Sequence, residues 1–220
     1  MEAAKQKESL QPRRLPAIDR EQQIVDAAVN FFAEVGFAGQ TRELASRLGI
    51  TQPLLYRYFP TKRDLIERVF EEVYLNRMNP DWAELLVDRS KSLHDRLCEF
   101  YLAYAAATYR YEWIRNYMFS ALSGEELNRR YIKLVEKTIL TPICVELRDY
   151  CGQPGADVKP VSGLELEQVW VMHGGLFYYA IRKHIYHSRV SKDFTGVVSH
   201  AVAVMLEGSK KLIAMSDNND

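Results

Sequence analysis

Cysteine is scarce. Only Cys98, Cys144 and Cys151 occur, an odd number with no CxxC pairing. That pattern argues against a disulfide framework and predicts buried or inert thiols in a reduced, cytoplasmic compartment. A redox pair between Cys144 and Cys151 would have to bridge roughly 10 Å if the seven-residue interval is helical. Long apolar runs are also missing. No stretch approaches the roughly 18 residues of a membrane span, and no signal-peptide core is present, so no membrane partner is expected. Net charge is absent, with 29 basic residues against 29 acidic, which weighs against a generic polyanion binder. Runs of alternating apolar and polar residues are lacking too, as are internal repeats, and this leaves an all-α chain.

What the sequence does hold is core. Of its 220 residues, 47% are apolar, enough for one or two domains. The balanced charge conceals a local asymmetry. Between Gly36 and Arg63, Arg42, Arg47, Arg57, Lys62 and Arg63 stand against Glu43 alone.

Residues 1–18 are polar, with Lys5, Lys7, Arg13 and Arg14, and predict a flexible basic arm. It is either a solvated tail or an arm reaching a DNA minor groove. From Asp19 the spacing of Ile24, Ala27, Ala28, Phe31, Phe32 and Val35 forms one helical stripe, closed by Gly36. A short helix is expected over Thr41–Leu48, with Leu44, Ala45 and Leu48 inward and Gly49 ending it. Thr51 can cap the next helix, and Pro53 suits its first turn. Pro60 stops that helix near Tyr58, and Thr61 caps another carrying Leu65, Ile66, Val69, Phe70 and Val73. After a break at "NPDW" (79–82), helices are expected over about 91–110, 112–122, 125–150 with a bend near Pro142, 164–187 and 192–213. "QPGADVKPVSG" (153–163) reads as a loop, and 215–220 as a disordered tail.

Two short helices about a Gly turn make a helix-turn-helix, with Thr51–Tyr58 as the groove-facing element. Its residue types suit that task. Thr51 and Gln52 can reach base edges or receive a phosphate at free N–H groups, and Pro53 and Leu54 can meet a thymine methyl. Tyr56 and Tyr58 would set their hydroxyls at the phosphate rim, with Leu55 and Phe59 as anchors. Lys62 adds a cation at a helix start, and Arg42 has the reach for a guanine edge. A small aromatic core is the competing reading of the same cluster.

"IVDAAVNFFAEVGF" followed by "TRELASRLGITQPLLYRYFPTKRDLI" resembles the DNA-binding domain of the tetracycline-repressor (TetR) family. The shared features are Phe-x-x-x-Gly-aromatic, a Leu-Ala pair, Gly-x-Thr, Leu-Tyr-x-x-Phe and Lys followed by Asp-Leu. They cover about residues 20–70. The resemblance implies base contacts from Arg42, Gln52 and Pro53, and backbone contacts from Thr41, Tyr56, Tyr58 and Lys62. "GFAGQTRELA" is one residue shorter than the commonest family spacing, so the transfer to Gln40 and Thr41 is less direct than to the second helix.

The resemblance further implies a helix-turn-helix DNA-binding domain over 19–78 and a helical effector-binding and dimerisation domain over 79–214. The expected partners are a palindromic double-stranded operator, a second copy of the chain and a small apolar or aromatic effector. Leu166, Val169, Trp170, His173, Leu176, Phe177, Ala180, Ile181 and His184 form a wide stripe on one late helix. Phe194, Val197, Val198, Ala201, Met205 and Leu212 form another on the last, and together they suggest a four-helix dimer interface, with packing inside one subunit as the competing reading. Candidates for an effector pocket are Tyr101, Tyr104, Trp113, Met118, Phe119, Trp170, His173, Phe177 and Tyr178, each with core packing as its competing reading. His184 and His187 are three apart without a third ligand nearby, so no metal site is expected, and no cofactor. No Ser-His-Asp, paired-carboxylate or metal constellation has credible spacing, so the chain is not expected to be an enzyme. The alternative class is a helical carrier or enzyme whose helix-turn-helix is purely structural.

Overall fold

A computed structural model describes residues 17–123 and 126–217, without the side chains of Ala17 and of 212–217. The arm expected over 1–18 lies outside them as far as residue 16. The helices are α1 (Ala17–Val35), α2 (Thr41–Arg47), α3 (Gln52–Tyr58), α4 (Lys62–Val73), α5 (Asp81–Val87), α6 (Leu93–Thr108), α7 (Tyr111–Leu122), α8 (Glu126–Val135), α9 (Thr141–Tyr150), α10 (Gly163–His184) and α11 (Phe194–Asp217). A 3-10 turn, Leu75–Arg77, follows α4, and a π-helical turn, Glu136–Leu140, joins α8 to α9. No strand occurs among the described residues.

The first four helices form where their end signals dictate. Gly36, at φ 78°, closes α1 with its N–H on the Phe32 carbonyl at 2.9 Å. A Cβ there would stand 2.9 Å from a Phe119 ring carbon, so chain direction and close packing both call for glycine. Thr51 caps α3 by accepting from the Leu54 N–H. Thr61 and Asp64 make a reciprocal capping box at the start of α4, at 3.1 and 2.8 Å. Phe31, Phe32, Leu44, Leu55, Phe59, Leu65 and Val69 fill the space between these helices.

The first domain is fastened to the rest chiefly through α7. The Asn116 side chain, buried, donates to the Val29 carbonyl at 3.0 Å, and Arg115 donates to the carbonyls of Ala33 and Glu34 at the end of α1. Those carbonyls have no partner inside the helix, and a cation there also meets the negative end of the helix dipole. The other fastening is aromatic. Tyr74, just past α4, packs against Phe70, Trp113 and Tyr131 with ring centroids 4.8, 5.2 and 5.4 Å away.

Two ionic knots hold the second domain. Arg96 and Glu146 form a buried pair at 2.7 Å, and Arg96 also donates to the Leu86 carbonyl, which ties α5, α6 and α9 together. Arg148 reaches Glu165 at 2.5 Å as well as the carbonyls of Lys159 and Pro160, shaping the loop before α10. The Arg148 guanidinium holds the Glu165 carboxyl down at about 2.

Three expectations need correction. The break at "NPDW" is the start of α5, which buries Trp82 and Leu86. α11 continues to Asp217, into the stretch expected to be a disordered tail. The third concerns the wide stripes on α10 and α11. Val169, His173, Leu176, Ala180, Val198 and Met205 are buried within the subunit and serve its own core. A different face looks outward: Leu164, Val171 and Tyr178 on α10 are 83, 75 and 49% exposed, and Val204 on α11 is 71% exposed. Val197 and Ala201 are half-buried and pack against the same core, while the Leu212 side chain lies outside the described set.

Candidate nucleic-acid interface and internal cavity

Gly49 makes the turn between α2 and α3 at φ 65°, where a side chain would be strained, and Leu55 and Phe59 pin α3 to the domain core. That leaves the start and outer side of α3 facing away. Pro53 is exposed and Leu54 half-buried, with Arg42 exposed beside them on α2. Tyr58 and Lys62 are half-buried at the rim, and Lys62 opens α4.

Electrostatics sharpen the basic cluster. Arg47 is held by Glu34 and Glu43 at 2.5 and 2.9 Å, and Arg63 by Glu67 at 3.1 Å, so these two charges are balanced locally. Among the described residues no carboxylate is in ion-pair reach of Arg42, Arg57 or Lys62, which surround α3. Arg57 was not singled out in the sequence beyond its charge. Its place on the exposed side of α3, three residues after Leu54, was the available signal.

Thr41 and Tyr56 are placed differently from the sequence reading. Thr41 is buried, and its hydroxyl shares a 2.9 Å hydrogen bond with the Tyr56 hydroxyl and accepts one from the Gln52 amide at 3.1 Å. The Tyr56 hydroxyl thus turns toward α2 rather than standing free at the rim. The three residues clamp α3 on α2, and Gln52 keeps its amide oxygen as an acceptor beyond the clamp.

The second domain contains a cavity of about 50 Å³. Of the expected effector residues, Tyr104, Trp113, Trp170, His173 and Phe177 line it. Tyr101, Met118 and Phe119 do not. Tyr101 is packed behind the wall against Phe100, and Met118 against the core. Phe119 projects to the opposite side of α7, onto Gly36 and under the Arg115 guanidinium. Tyr178 is on the outer face of α10. Tyr117, Tyr131, Ile132, Val135 and Gly174 complete the lining and were missed. For Tyr117 a signal existed: it is four residues after Trp113, hence on the same helix face. For Tyr131 there was none, because nothing in the sequence sets the rotation of α8 against α7.

Burial holds the His173 imidazole near a pKa of about 4, so it is neutral at pH 7. The hydroxyls of Tyr104 and Tyr131 bond each other at 2.8 Å, and Trp170 Nε1 donates to Glu136 at 3.3 Å. His184 Nε2 lies 3.1 Å from the Tyr109 carbonyl, and no group of three His, Cys, Asp or Glu among the described residues is arranged to hold a metal ion. No described helix is long and apolar enough to cross a membrane.

These features define an all-α protein in which a helix-turn-helix domain is joined through α4 and α7 to a larger helical domain. Residues 24–69 match the model of the family described as bacterial regulatory proteins, tetR family. Tetracycline repressor protein class A from transposon 1721 of Escherichia coli is 33% identical over 85 residues, 35% of this chain and 39% of the relative, so the match spans well under half of that protein. The similarity to the tetR family of bacterial regulatory proteins is thus carried by the N-terminal domain. The likeness in fold extends further. A TetR family transcriptional regulator from Pseudomonas syringae pv. tomato superposes with a TM-score of 0.58 at 17% identity, covering 88% of this chain and 97% of that one. A tetR-family regulator from Streptomyces coelicolor does so with a TM-score of 0.59 at 18% identity, covering 94 and 85%.

Proposed function

We propose that the protein is a homodimeric, effector-responsive transcriptional regulator that represses from a palindromic DNA operator and releases it when a small molecule enters the cavity of the second domain. The observation that carries this reading is the outer side of α3: exposed Pro53 and half-buried Gln52 and Leu54 at its start, with the three cations Arg42, Arg57 and Lys62 nearby that have no ion pair among the described residues. Base edges would be met by Arg42, Gln52, Pro53 and Leu54. Phosphates would be met by Arg57, Tyr58, Lys62 and the N–H groups that follow Thr51. Thr41 and Tyr56 act by holding Gln52 in place.

Dimerisation uses the outward stripes of α10 and α11. Leu164, Val171, Tyr178 and Val204 are large apolar groups in water, and a twofold axis beside them would bury them against their own copies. Gly175, between Val171 and Tyr178, meets no atom within 4 Å where its Cβ would be, which leaves room for a partner helix. Two copies must place their α3 helices in major grooves roughly 34–36 Å apart, so a small change of spacing is enough to abolish double docking. α7 supports the coupling of cavity to spacing, because Trp113 and Tyr117 face the cavity while Arg115, Asn116 and Phe119 hold α1.

Selection of bound duplexes from a random pool, followed by titration of variants, tests the assignment. An enriched palindrome is expected. Gln52→Ala and Arg42→Ala should relax preference at particular base pairs, by about 1–3 kcal/mol each. Lys62→Ala should weaken all duplexes alike and lower the salt dependence by about one counterion. Recovery of no palindrome, or unchanged selectivity in the Gln52 and Arg42 variants, would refute it.

A further inference from the structure

Two residues of the cavity wall, Trp113 and His173, each carry a buried polar atom that no described residue answers. Trp113 is 2% exposed and His173 6% exposed, and both line the cavity. The Trp113 Nε1–H and the His173 Nδ1 are buried with no hydrogen-bond partner. Leaving such a group buried and unpaired costs on the order of 1–3 kcal/mol, so a molecule that supplied the partner would gain by it.

The chemistry of the missing partner follows from what the walls offer. An indole N–H only donates, so Trp113 needs an acceptor, and a neutral imidazole offers one donor and one acceptor. Among the described residues no Lys, Arg, Asp or Glu side chain lines the space. The neighbouring carboxylate, Glu136, is already engaged by Trp170. A charged ligand would lose its hydration with nothing to compensate it. The shape favours a flat ring. Trp113 and Tyr117 are stacked with an interplanar angle of 10°, and Phe177 stands edge-on to both at 6.1 and 5.3 Å.

We infer that the effector is a small, uncharged aromatic molecule carrying a carbonyl or ether oxygen, which accepts from the Trp113 indole N–H while its ring lies against Trp113, Tyr117 and Phe177. The inference rests on the reading that this cavity receives the effector. The volume in this structure, about 50 Å³, is smaller than such a molecule, so binding moves the half-buried Phe177 and Trp170 side chains outward.

Three probes of similar ring size separate the contributions: acetophenone (neutral, with an acceptor), ethylbenzene (neutral, without one) and benzoate (charged). Calorimetric titration of the full-length protein at pH 7 should rank acetophenone about ten-fold tighter than either of the others. The chain has three tryptophans, Trp82, Trp113 and Trp170, and hence three indole N–H resonances in a nitrogen-15 spectrum. Acetophenone should shift downfield the one that is lost in Trp113→Phe, and in that variant its advantage over ethylbenzene should vanish. The ranking in the unmodified protein needs no variant to fold. Equal or tighter binding of benzoate, an acetophenone advantage that survives Trp113→Phe, or no acetophenone binding at 10 mM overturns the inference. Operator release is read separately. A probe that binds as described without releasing the selected palindrome sinks the effector reading and leaves the ligand class standing. A palindrome-binding protein that ignores acetophenone does the reverse.

Discussion

The two domains treat buried polar groups in opposite ways. Between residues 17 and 73 no described side chain has a buried polar atom without a partner. From Tyr74 onward there are ten: Tyr74, Arg96, Tyr101, Tyr109, Trp113, Asn116, Ser120, Asn128, His173 and Arg182. In the first domain hydroxyls and amides are spent on caps and on the Thr41–Tyr56–Gln52 clamp. A domain that must present α3 at a fixed angle gains from having no alternative arrangement of comparable energy. In the second domain several hydroxyls and ring nitrogens are buried without a partner among the described residues. That packing is adequate but unfinished, and an occupant can complete it.

The contrast can be broken most strongly at the small domain's core. Leu55→Ala removes a fully buried anchor of α3 and should cost about 2–5 kcal/mol in urea unfolding, together with operator binding. A comparable loss of the cavity is not expected from that substitution, so acetophenone binding measured at low temperature should persist.

Next in size is a pH effect confined to the second domain. Burial lowers the His173 pKa to about 4, whereas in the unfolded chain it is near 6.5. Between those values the unfolded chain holds a proton that the folded chain does not. The contribution of neutral His173 is therefore complete above pH 6.5 and is lost as pH falls through the window toward 4, by about 3 kcal/mol. Urea midpoints taken from pH 7 to pH 4 should fall less steeply in His173→Phe than in the unmodified protein; parallel curves would show that His173 does not carry the effect.

The smallest test is the most direct. Tyr56→Phe removes a partnered hydroxyl and should cost about 1 kcal/mol. Tyr74→Phe removes an unpartnered one and should be neutral or stabilising by up to about 1 kcal/mol. Equal losses in both variants would mean that the Tyr74 hydroxyl has a partner after all.

Legibility in the sequence followed the same division. α1 to α4 were readable because their signals are local: Gly36 and Gly49 at left-handed positions, Thr51 and Thr61 as caps, and Pro53 in a first turn. α5 was not, since seven residues contain only Trp82 and Leu86 as buried positions, too few to show a period, and Pro80 reads equally as a breaker or as a helix start. The stripes on α10 and α11 were visible, but periodicity shows that a face is apolar, not what it touches. Hence spacing alone left open whether these stripes pack inside the subunit or against a second copy, and much of each is buried inside it. Phe119 was a different error. It is two residues from Tyr117, which puts it on the far side of α7, and the spacing alone would have removed it from the cavity list.

The π-helical turn between α8 and α9 has a consequence for the wall that it supports. Such a turn holds one residue more than α-helical winding would, and so shifts by roughly 100° the angular phase of everything before it relative to everything after. Ile143, Cys144 and Leu147 past the turn are sunk in the core, while Tyr131 and Val135 ahead of it border the cavity. Glu136–Leu140 is therefore a phase adjuster. It lets one continuous rod obey two sets of neighbours, pointing its far half at the packed interior and its near half at the empty space.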